Sequence, residues 1–202
     1  MKPENTEEFS AIVLAGGKSS RMGRDKADLP FLGTSLLEYQ ISLLKHLGLD
    51  DIMVSGKDCS LPGVRCIPDL CPERGPLAGI ASCMREARYE SCLVMAVDTP
   101  LVREDTLRAL LKAHAEGSEK ITLLECQGHW EPLLAVYCSD LYPLAEKILE
   151  TGRGSMRELI QSVPHRFLEY REDPELLMNC NTPEAYQRAL ALGKETETKG
   201  KE

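Results

Sequence analysis

The sequence lacks a surplus of positive charge: 24 Lys and Arg residues stand against 32 Asp and Glu, which gives a net charge of −8. Together with a pI near 5.2, this disfavours nucleic acids and anionic membranes as main partners, because both attract basic surfaces. Long apolar runs are missing as well, and none approaches the length of about 20 residues that a membrane-spanning helix needs. Any positive charge that matters must therefore be concentrated locally.

The sequence has no Cys-x-x-Cys pair, although it contains eight cysteines. A zinc site is thus poorly supported, and the four histidines show no metal-ligand spacing. Residues 1–8 are polar and acidic, unlike a secretory signal. Cys66 and Cys92 fall in apolar, strand-like runs, where free Cys behaves as a small hydrophobe. These features predict reduced thiols in a cytoplasmic enzyme.

The sequence does contain a glycine-rich segment directly after its first apolar run. That run, residues 9–14, predicts a buried strand, and it leads into Leu14-Ala15-Gly16-Gly17. Adjacent glycines let a ligand approach the backbone, and successive N–H groups in such a turn can bind an anion. Arg21 and Lys26 add two positive charges. A triphosphate requires backbone dipoles that hold it and cations that neutralise its negative charge.

This glycine segment matches neither of two common phosphate-binding motifs. No Gly-Lys-Ser/Thr closes it, so it is not a Walker loop. Its glycine spacing also differs from the dinucleotide fingerprint. A simpler interpretation stays open, in which Gly16-Gly17 is a surface turn that carries two solvated cations.

Strands and helices alternate through the first half of the chain. Their apolar patterns predict strands at 51–55, 64–68 and 91–97, and helices at 35–47, 75–88 and 104–115. This order predicts an α/β fold, a three-layer α/β/α sandwich around a mostly parallel sheet. Ligands bind beyond the carboxyl ends of the strands in such sheets. Gly16, Ser55, Asp69 and Asp98, which each follow a strand, are therefore expected to converge.

The second half predicts an antiparallel hairpin and further helices. The hairpin strands are expected at 120–125 and 131–137 around Gln127-Gly128, with Pro132 indicating an edge strand or a strand start. Later elements are expected as helices at 140–150 and 155–161, a strand at 165–170, and a last helix at 183–192 with Thr182 as N-cap. One domain over 1–192 and a charged, disordered tail over 193–202 follow from this pattern. Trp130 is expected to pack, with stacking on a ligand ring as the alternative.

Asp98 and Gly79 each allow two interpretations. A carboxylate after the most apolar strand can hold Mg²⁺, which takes only one or two protein carboxylates. Alternatively, Asp98 forms an Asx turn before Pro100. Gly79, near the start of a helix, permits either close approach to a nucleotide or close packing of that helix on the sheet.

Residues 14–26 resemble the nucleotidyltransferases that begin Leu-Ala-Gly-Gly-x-Ser-x-Arg-Met-Gly-x-Asp-Lys, and most of all the molybdenum cofactor guanylyltransferases. Asp25-Lys26 stands where related sugar-phosphate and terpenoid-precursor enzymes have Pro-Lys. The resemblance extends to Gly-Pro-Leu-Ala-Gly at 75–79, Asp-Thr-Pro at 98–100, Glu-Pro-Leu at 131–133 and Asn-x-Asn-Thr-Pro at 179–183. It implies a Rossmann-like nucleotide-binding half and transfer of GMP from GTP to the phosphate of molybdopterin cofactor, with release of pyrophosphate.

The resemblance also implies roles for individual residues. Arg21, Lys26 and Asp98 would be catalytic, with Mg²⁺ held by Asp98. The nucleotide would contact Leu14, Ala15, Gly16, Gly17, Lys26, Ser55, Asp69, Gly79 and Asp98. Asn179 and Asn181, which would project from one strand face, would lie near the acceptor, although a turn and helix cap would explain them equally. By analogy, partners would be GTP, molybdopterin cofactor, and other cofactor-synthesis proteins or target molybdoenzymes.

One departure keeps other functions open. Ser55 stands where the family usually offers Asn near the base, and a hydroxyl lacks the paired donor and acceptor of an amide. A related enzyme could transfer CMP from CTP or use another small phosphate acceptor. From a different class, the chain could be a GTP-binding carrier that has lost catalysis. Retention of Arg21, Lys26 and Asp98 argues against the carrier.

Overall fold

A seven-stranded sheet forms the centre of the structure, a computed structural model that describes residues 8–16, 25–69, 71, 74–152 and 155–199. The strands within these ranges are β1 (Phe9–Leu14), β2 (Pro30–Phe31), β3 (Thr34–Ser35), β4 (Asp51–Ser55), β5 (Val64–Ile67), β6 (Ser91–Ala96), β7 (Ile121–Cys126), β8 (His129–Cys138) and β9 (His165–Glu169). Strands β2 and β3 form a separate small ribbon.

Six α-helices lie in the described ranges. They are α1 (Leu36–His46), α2 (Pro76–Glu86), α3 (Glu104–Ala115), α4 (Tyr142–Glu150), α5 (Met156–Gln161) and α6 (Pro183–Lys199). Ser35 and Glu38 form a reciprocal capping box at the start of α1, which satisfies two N–H groups that the helix leaves unpaired. At the start of α5, the Ser155 hydroxyl accepts a hydrogen bond from the N–H of Glu158.

The sheet order β5-β4-β1-β6-β8-β7-β9 places the first strand near the centre. Strands β5, β4, β1 and β6 are parallel, and β8 runs antiparallel to both β6 and β7. Alternate residues of β1 enter different cores: Ala11 and Val13 pack with α1 and α3, whereas Ile12 packs with α2 and α4. Helices therefore cover both faces, and the predicted three-layer α/β/α sandwich with an antiparallel hairpin is confirmed.

The placement of Pro132 was predicted wrongly. Strand β8 lies inside the sheet, between β6 and β7. Pro132 sits there because the β7–β8 register shifts between Leu123, which pairs with Ala135, and Leu124, which pairs with Glu131. This bulge leaves Pro132 outside the register pairs, so its missing N–H costs no ladder bond.

The last helix is longer than its pattern predicts. It continues past Leu192 to Lys199, so the part of the expected disordered tail over 193–199 is helical. Gly193 does not end it, because it lies buried where a Cβ would come 3.0 Å from the ring of Phe31. Close packing thus explains this glycine. Within the described ranges, none of the helices combines the length and apolar character that crossing a membrane requires.

Candidate active site

A cleft of about 460 Å³ opens at the carboxyl ends of the central parallel strands. Gly16, Ser55, Asp69 and Asp98 all line it, as the rule for ligand sites in open α/β sheets predicts. Gly75 and Pro76, where α2 begins, also line the cleft. The expected convergence is therefore confirmed.

Two glycine backbones touch at the end of β1 and β4. The Ala15 N–H donates to the Ser55 carbonyl at 2.9 Å, which carries the strand pairing to the edge of the cleft. A Cβ on Gly16 would come within 2.9 Å of the Gly56 Cα, and Gly56 has a positive φ of 81°. Both positions thus require glycine. Leu14, Ala15 and Gly16 line the cleft beside this contact, whereas Gly17 and Arg21 lie outside the described residues.

Lys26 and Asp98 form an ion pair in the cleft. Lys26 lies in a short 3₁₀ turn, Lys26–Asp28, that Asp25 caps by accepting from the Ala27 N–H at 3.0 Å. The Lys26 Nζ donates to Oδ2 of Asp98 at 2.8 Å and also to the side-chain oxygen of Asn181. The two charged side chains are only 20% and 15% exposed. A cation and a carboxylate therefore face each other where a phosphate chain could enter.

The backbone around Asp98 is fixed from two directions. The Cys180 N–H donates to the Asp98 carbonyl at 2.8 Å. Gln40, fully buried on α1, donates from Nε2 to the Thr99 carbonyl at 2.8 Å. Gln40 is not among the residues predicted for the site; the signal that could have identified it is a polar residue within the apolar stripe of a helix.

The two predicted acceptor residues differ in their placement. Asn181 lines the cleft and contacts Lys26. Asn179 is exposed and is not part of the cleft wall. The predicted strand face that would present both is wrong, because this segment is a turn in which the Asn181 N–H donates to the Asn179 carbonyl at 2.9 Å. A turn breaks the alternation that a strand would impose.

Lys57 joins the end of β4 to the turn that carries Lys26. Its Nζ lies 2.7 Å from Oδ2 of Asp25 and 2.7 Å from Oδ2 of Asp28. Burial lowers the pKa of Lys57, but hydrogen bonds to Asp25 and Asp28 outweigh this and raise it overall. Lys57 is not among the residues that line the cleft. The sequence pattern predicts no role for Lys57, because only the fold brings it beside Asp25.

Ser55, Asp69 and Gly79 form a second compact group that lines the cleft. The Ser55 hydroxyl, which is 2% exposed, donates to Oδ1 of Asp69 at 2.6 Å. A Cβ on Gly79 would lie 2.4 Å from Ser55 Oγ and 3.0 Å from Oδ1 of Asp69. Gly79 thus allows α2 to pack closely on the sheet, and it also lines the cleft, whereas its close approach to a nucleotide stays a prediction.

The hairpin contributes an apolar residue to the cleft. The bulge in β8 places Leu133 in the cleft wall, and the buried Tyr137 hydroxyl donates to the Pro132 carbonyl at 2.7 Å. Trp130 is half-buried against Phe167, with Arg157 stacked 4.6 Å from its ring. It does not line the cleft. The packing role expected for Trp130 is confirmed.

The donor set suits a divalent cation that is shared with a ligand. In the part of the chain that the structure describes, no group of three or more His, Cys, Asp or Glu side chains could hold a metal ion. Asp98 nevertheless presents a carboxylate to the cleft. Mg²⁺ is commonly held by one or two carboxylates, while waters and substrate phosphates complete its shell. One carboxylate beside a phosphate-sized opening fits that pattern.

Comparison with known proteins gives a consistent result. The sequence profile of the family described as MobA-like NTP transferase domain matches residues 11–168. A relative from Carboxydothermus hydrogenoformans, named probable molybdenum cofactor guanylyltransferase, is 32% identical over 198 residues, which span 92% of this chain and 97% of that protein.

Solved structures share the fold. Molybdopterin-guanine dinucleotide biosynthesis protein A from Archaeoglobus fulgidus superimposes with a TM-score of 0.79 at 22% identity, over 92% of this chain and 99% of that one. The Mycobacterium tuberculosis protein Rv0371c, solved in complex with manganese, gives a TM-score of 0.70 at 19% identity, over 92% and 98%.

Proposed function

This chain belongs to the family of MobA-like NTP transferase domains, and from that premise we propose that it transfers GMP from GTP to the phosphate of molybdopterin cofactor. The products are the guanine dinucleotide form of the cofactor and pyrophosphate. The observation that carries the proposal is the ion pair of Lys26 and Asp98, which lies in the same cleft as the backbone of Gly16 at the end of β1. A cation, a carboxylate and open backbone at one edge suit a triphosphate.

The chemical step needs positioning more than proton transfer. The acceptor phosphate oxygen attacks the α-phosphorus of GTP in line, the new P–O bond forms, and the bond to the β-phosphate breaks. A phosphate nucleophile is already anionic near neutral pH, so no general base is required. Lys26 stabilises negative charge on the transferring and leaving groups. Arg21, outside the described residues, is proposed to assist it, and Asn181 holds the Lys26 ammonium in place.

We propose Mg²⁺ as the metal, held by Asp98. When bound, the ion would neutralise phosphate oxygens that Lys26 does not reach. The hydrogen bond from Lys26 holds the Asp98 carboxylate in place at the cleft. The hydrogen bonds that the Asp98 and Thr99 carbonyls accept hold the turn after β6, and with it Asp98, beside the cleft.

The group of Ser55 and Asp69 supports guanine as the base. Because the Ser55 hydroxyl is engaged with Asp69, the wall presents a carboxylate, which is an acceptor only. The Watson–Crick edge of guanine offers two adjacent donors, whereas that of cytosine offers one donor beside acceptors. A carboxylate accepts two parallel donors well. Asp69 thereby compensates for the missing Asn at position 55.

Transfer from CTP and simple GTP binding are the competing functions. The experiment that tests the proposal incubates the protein with Mg²⁺, molybdopterin cofactor and either GTP or CTP, each labelled at the α-phosphate. Label in the cofactor together with pyrophosphate release from GTP is expected. Label from CTP alone would favour the cytidylyl reaction, and GTP binding without pyrophosphate release would favour a carrier.

The proposed setting is cytoplasmic, with the acceptor delivered by other proteins of cofactor synthesis or passed to target molybdoenzymes. All eight cysteines are free thiols in the structure, which fits a reducing compartment. Cys59 and Cys66 lie with their sulfur atoms 2.9 Å apart without being bonded.

A further inference from the structure

The loop that follows β4 reaches across to the turn that presents Lys26. Its first residue, Gly56, is locked against Gly16 by backbone contact. The next residue, Lys57, extends from this fixed point and meets Asp25 and Asp28 at 2.7 Å each. Lys57 is 17% exposed, compared with 43% for Asp25 and 66% for Asp28. The lysine is therefore the anchored member of the group, and the two acids are held to it.

The charges of this group bear directly on Lys26. Asp25 and Asp28 flank Lys26 in sequence, on the same short turn. Without a cation of their own, two carboxylates would stand beside the site for a polyanionic ligand and repel it. They would also compete for the Lys26 ammonium, which in the structure points the other way, to Asp98.

We propose that Lys57 is a positioning residue: its single positive charge offsets one of the two negative charges of Asp25 and Asp28, and it holds their turn, so that Lys26 is left to face the triphosphate. This inference rests on the proposed function for the identity of the ligand, but not on the acceptor or on transfer. Lys57 acts through the two carboxylates, because it does not itself line the cleft. It thereby extends the site beyond the residues that touch the nucleotide.

The test compares variants that separate charge from packing. Lys57→Met removes the charge, Lys57→Arg keeps it, and Lys57→Met with Asp28→Asn removes one of the acids that the lysine balances. Titration calorimetry measures the binding of inorganic tripolyphosphate and of GTP, both with Mg²⁺, and initial rates give kcat and KM. Lys57→Gln repeats the comparison with a polar side chain if the Met variant does not fold.

We expect a loss of tripolyphosphate affinity that is avoided by keeping the positive charge at position 57 and partly reversed by removing a neighbouring negative charge. Lys57→Met should weaken tripolyphosphate binding by about 10- to 100-fold, the range that small misplacements of binding groups produce. Lys57→Arg should retain most of the affinity. Adding Asp28→Asn to Lys57→Met should recover about tenfold of it, because less negative charge is left unbalanced. Asp28→Asn alone should leave binding close to the wild type, since Lys57 still holds Asp25.

Lys45→Met is the matched control, because exposed Lys45 holds the same loop at its other end, through the Pro62 carbonyl at 2.7 Å. It should leave affinity unchanged. If Lys57→Met and Lys57→Gln fold and bind tripolyphosphate like the wild type, or if Asp28→Asn restores nothing, the inference is wrong. If the wild type binds GTP but transfers no GMP, the proposed function fails instead, and the binding series still decides the role of Lys57.

Discussion

The Lys26 ammonium lies 2.8 Å from Oδ2 of Asp98, a residue 72 positions further along the chain. Both residues line the cleft, and Asp98 lies just past the carboxyl end of β6. In the proposed reaction each member takes a new partner: Lys26 meets phosphate and Asp98 meets the cation. The ion pair thus keeps two opposite charges aligned before the ligand arrives, so that little reorganisation is needed when it binds.

Removing either member of this pair is expected to lower turnover strongly while the fold is kept. Lys26→Ala and Asp98→Ala should each lower kcat by about 100- to 1,000-fold, the loss typical of one electrostatic contact to the transferring group. Pyrophosphate release measures the rate, and circular dichroism and thermal unfolding report on the fold.

The exposed ion pair of Lys120 and Asp140 provides a matched control. Lys120→Ala and Asp140→Ala should leave turnover unchanged, because surface pairs contribute little. Near-normal turnover in both Lys26→Ala and Asp98→Ala would rule out the roles assigned to this pair.

Much of the site could be predicted because strand ends are visible in a sequence. Ser55 and Asp98 each follow an apolar run, and topology then brings them to one edge of the sheet. Gln40 and Lys57 could not be found in this way. Their roles depend on contacts with Thr99 and Asp25 that only the packed fold creates.

Two errors have local causes. Pro132 was predicted at a sheet edge or a strand start, because its missing N–H excludes it from a regular ladder; a bulge satisfies the same requirement inside the sheet. Asn179 and Asn181 were predicted either on one strand face or in a turn with a helix cap; the strand face is wrong, because a turn forms there and only Asn181 lines the cleft. Residues two positions apart share one face only where the segment forms a strand.

Gly79→Ala is expected to damage both stability and nucleotide binding. Its new methyl group would lie 2.4 Å from Ser55 Oγ, so α2 or the bond between Ser55 and Asp69 must shift. Overpacking of this kind costs about 1–3 kcal/mol, and KM for GTP should rise. Urea unfolding and initial-rate kinetics measure the two effects.

Ser55→Ala tests the cause of the Gly79→Ala defect. Combined with Gly79→Ala it removes the nearest clashing atom, and the double variant should be less destabilised than the sum of the single variants. Strict additivity would show that the contact with Ser55 is not the source of the strain.

Asp69→Asn is expected to change the choice of base. The amide that replaces the carboxylate brings a donor where guanine offers donors, so kcat/KM for GTP should fall by about 10- to 100-fold. The value for CTP should fall less, or rise. The ratio of the two kcat/KM values, measured with the same acceptor, is the decisive quantity. An unchanged ratio would mean that Asp69 does not face the base.

Asp51 is expected to make stability depend on acid pH. Its side chain is 1% exposed and accepts from the Ser10 hydroxyl at 2.6 Å, the Arg88 N–H at 3.0 Å and Arg65 Nη2 at 2.7 Å. Burial alone would raise the pKa of Asp51, but these hydrogen bonds outweigh it and lower the pKa overall. The folded state thus holds the carboxylate charged at a pH where the unfolded chain already binds a proton.

The sign of the pH effect follows from that depressed pKa. The contribution of Asp51 is fully present above its unfolded pKa, about 3.9, and is lost as the pH falls through the lower folded value. Asp51→Asn should therefore reduce the free energy of unfolding at pH 7 by about 1–3 kcal/mol, and the gap to the wild type should narrow below pH ~4. Urea titrations from pH 7 downward measure this gap. Asp140→Asn, at an exposed pair, should show a small gap throughout, whereas a gap for Asp51→Asn that stays constant with pH would mean that the charge of the buried carboxylate contributes nothing.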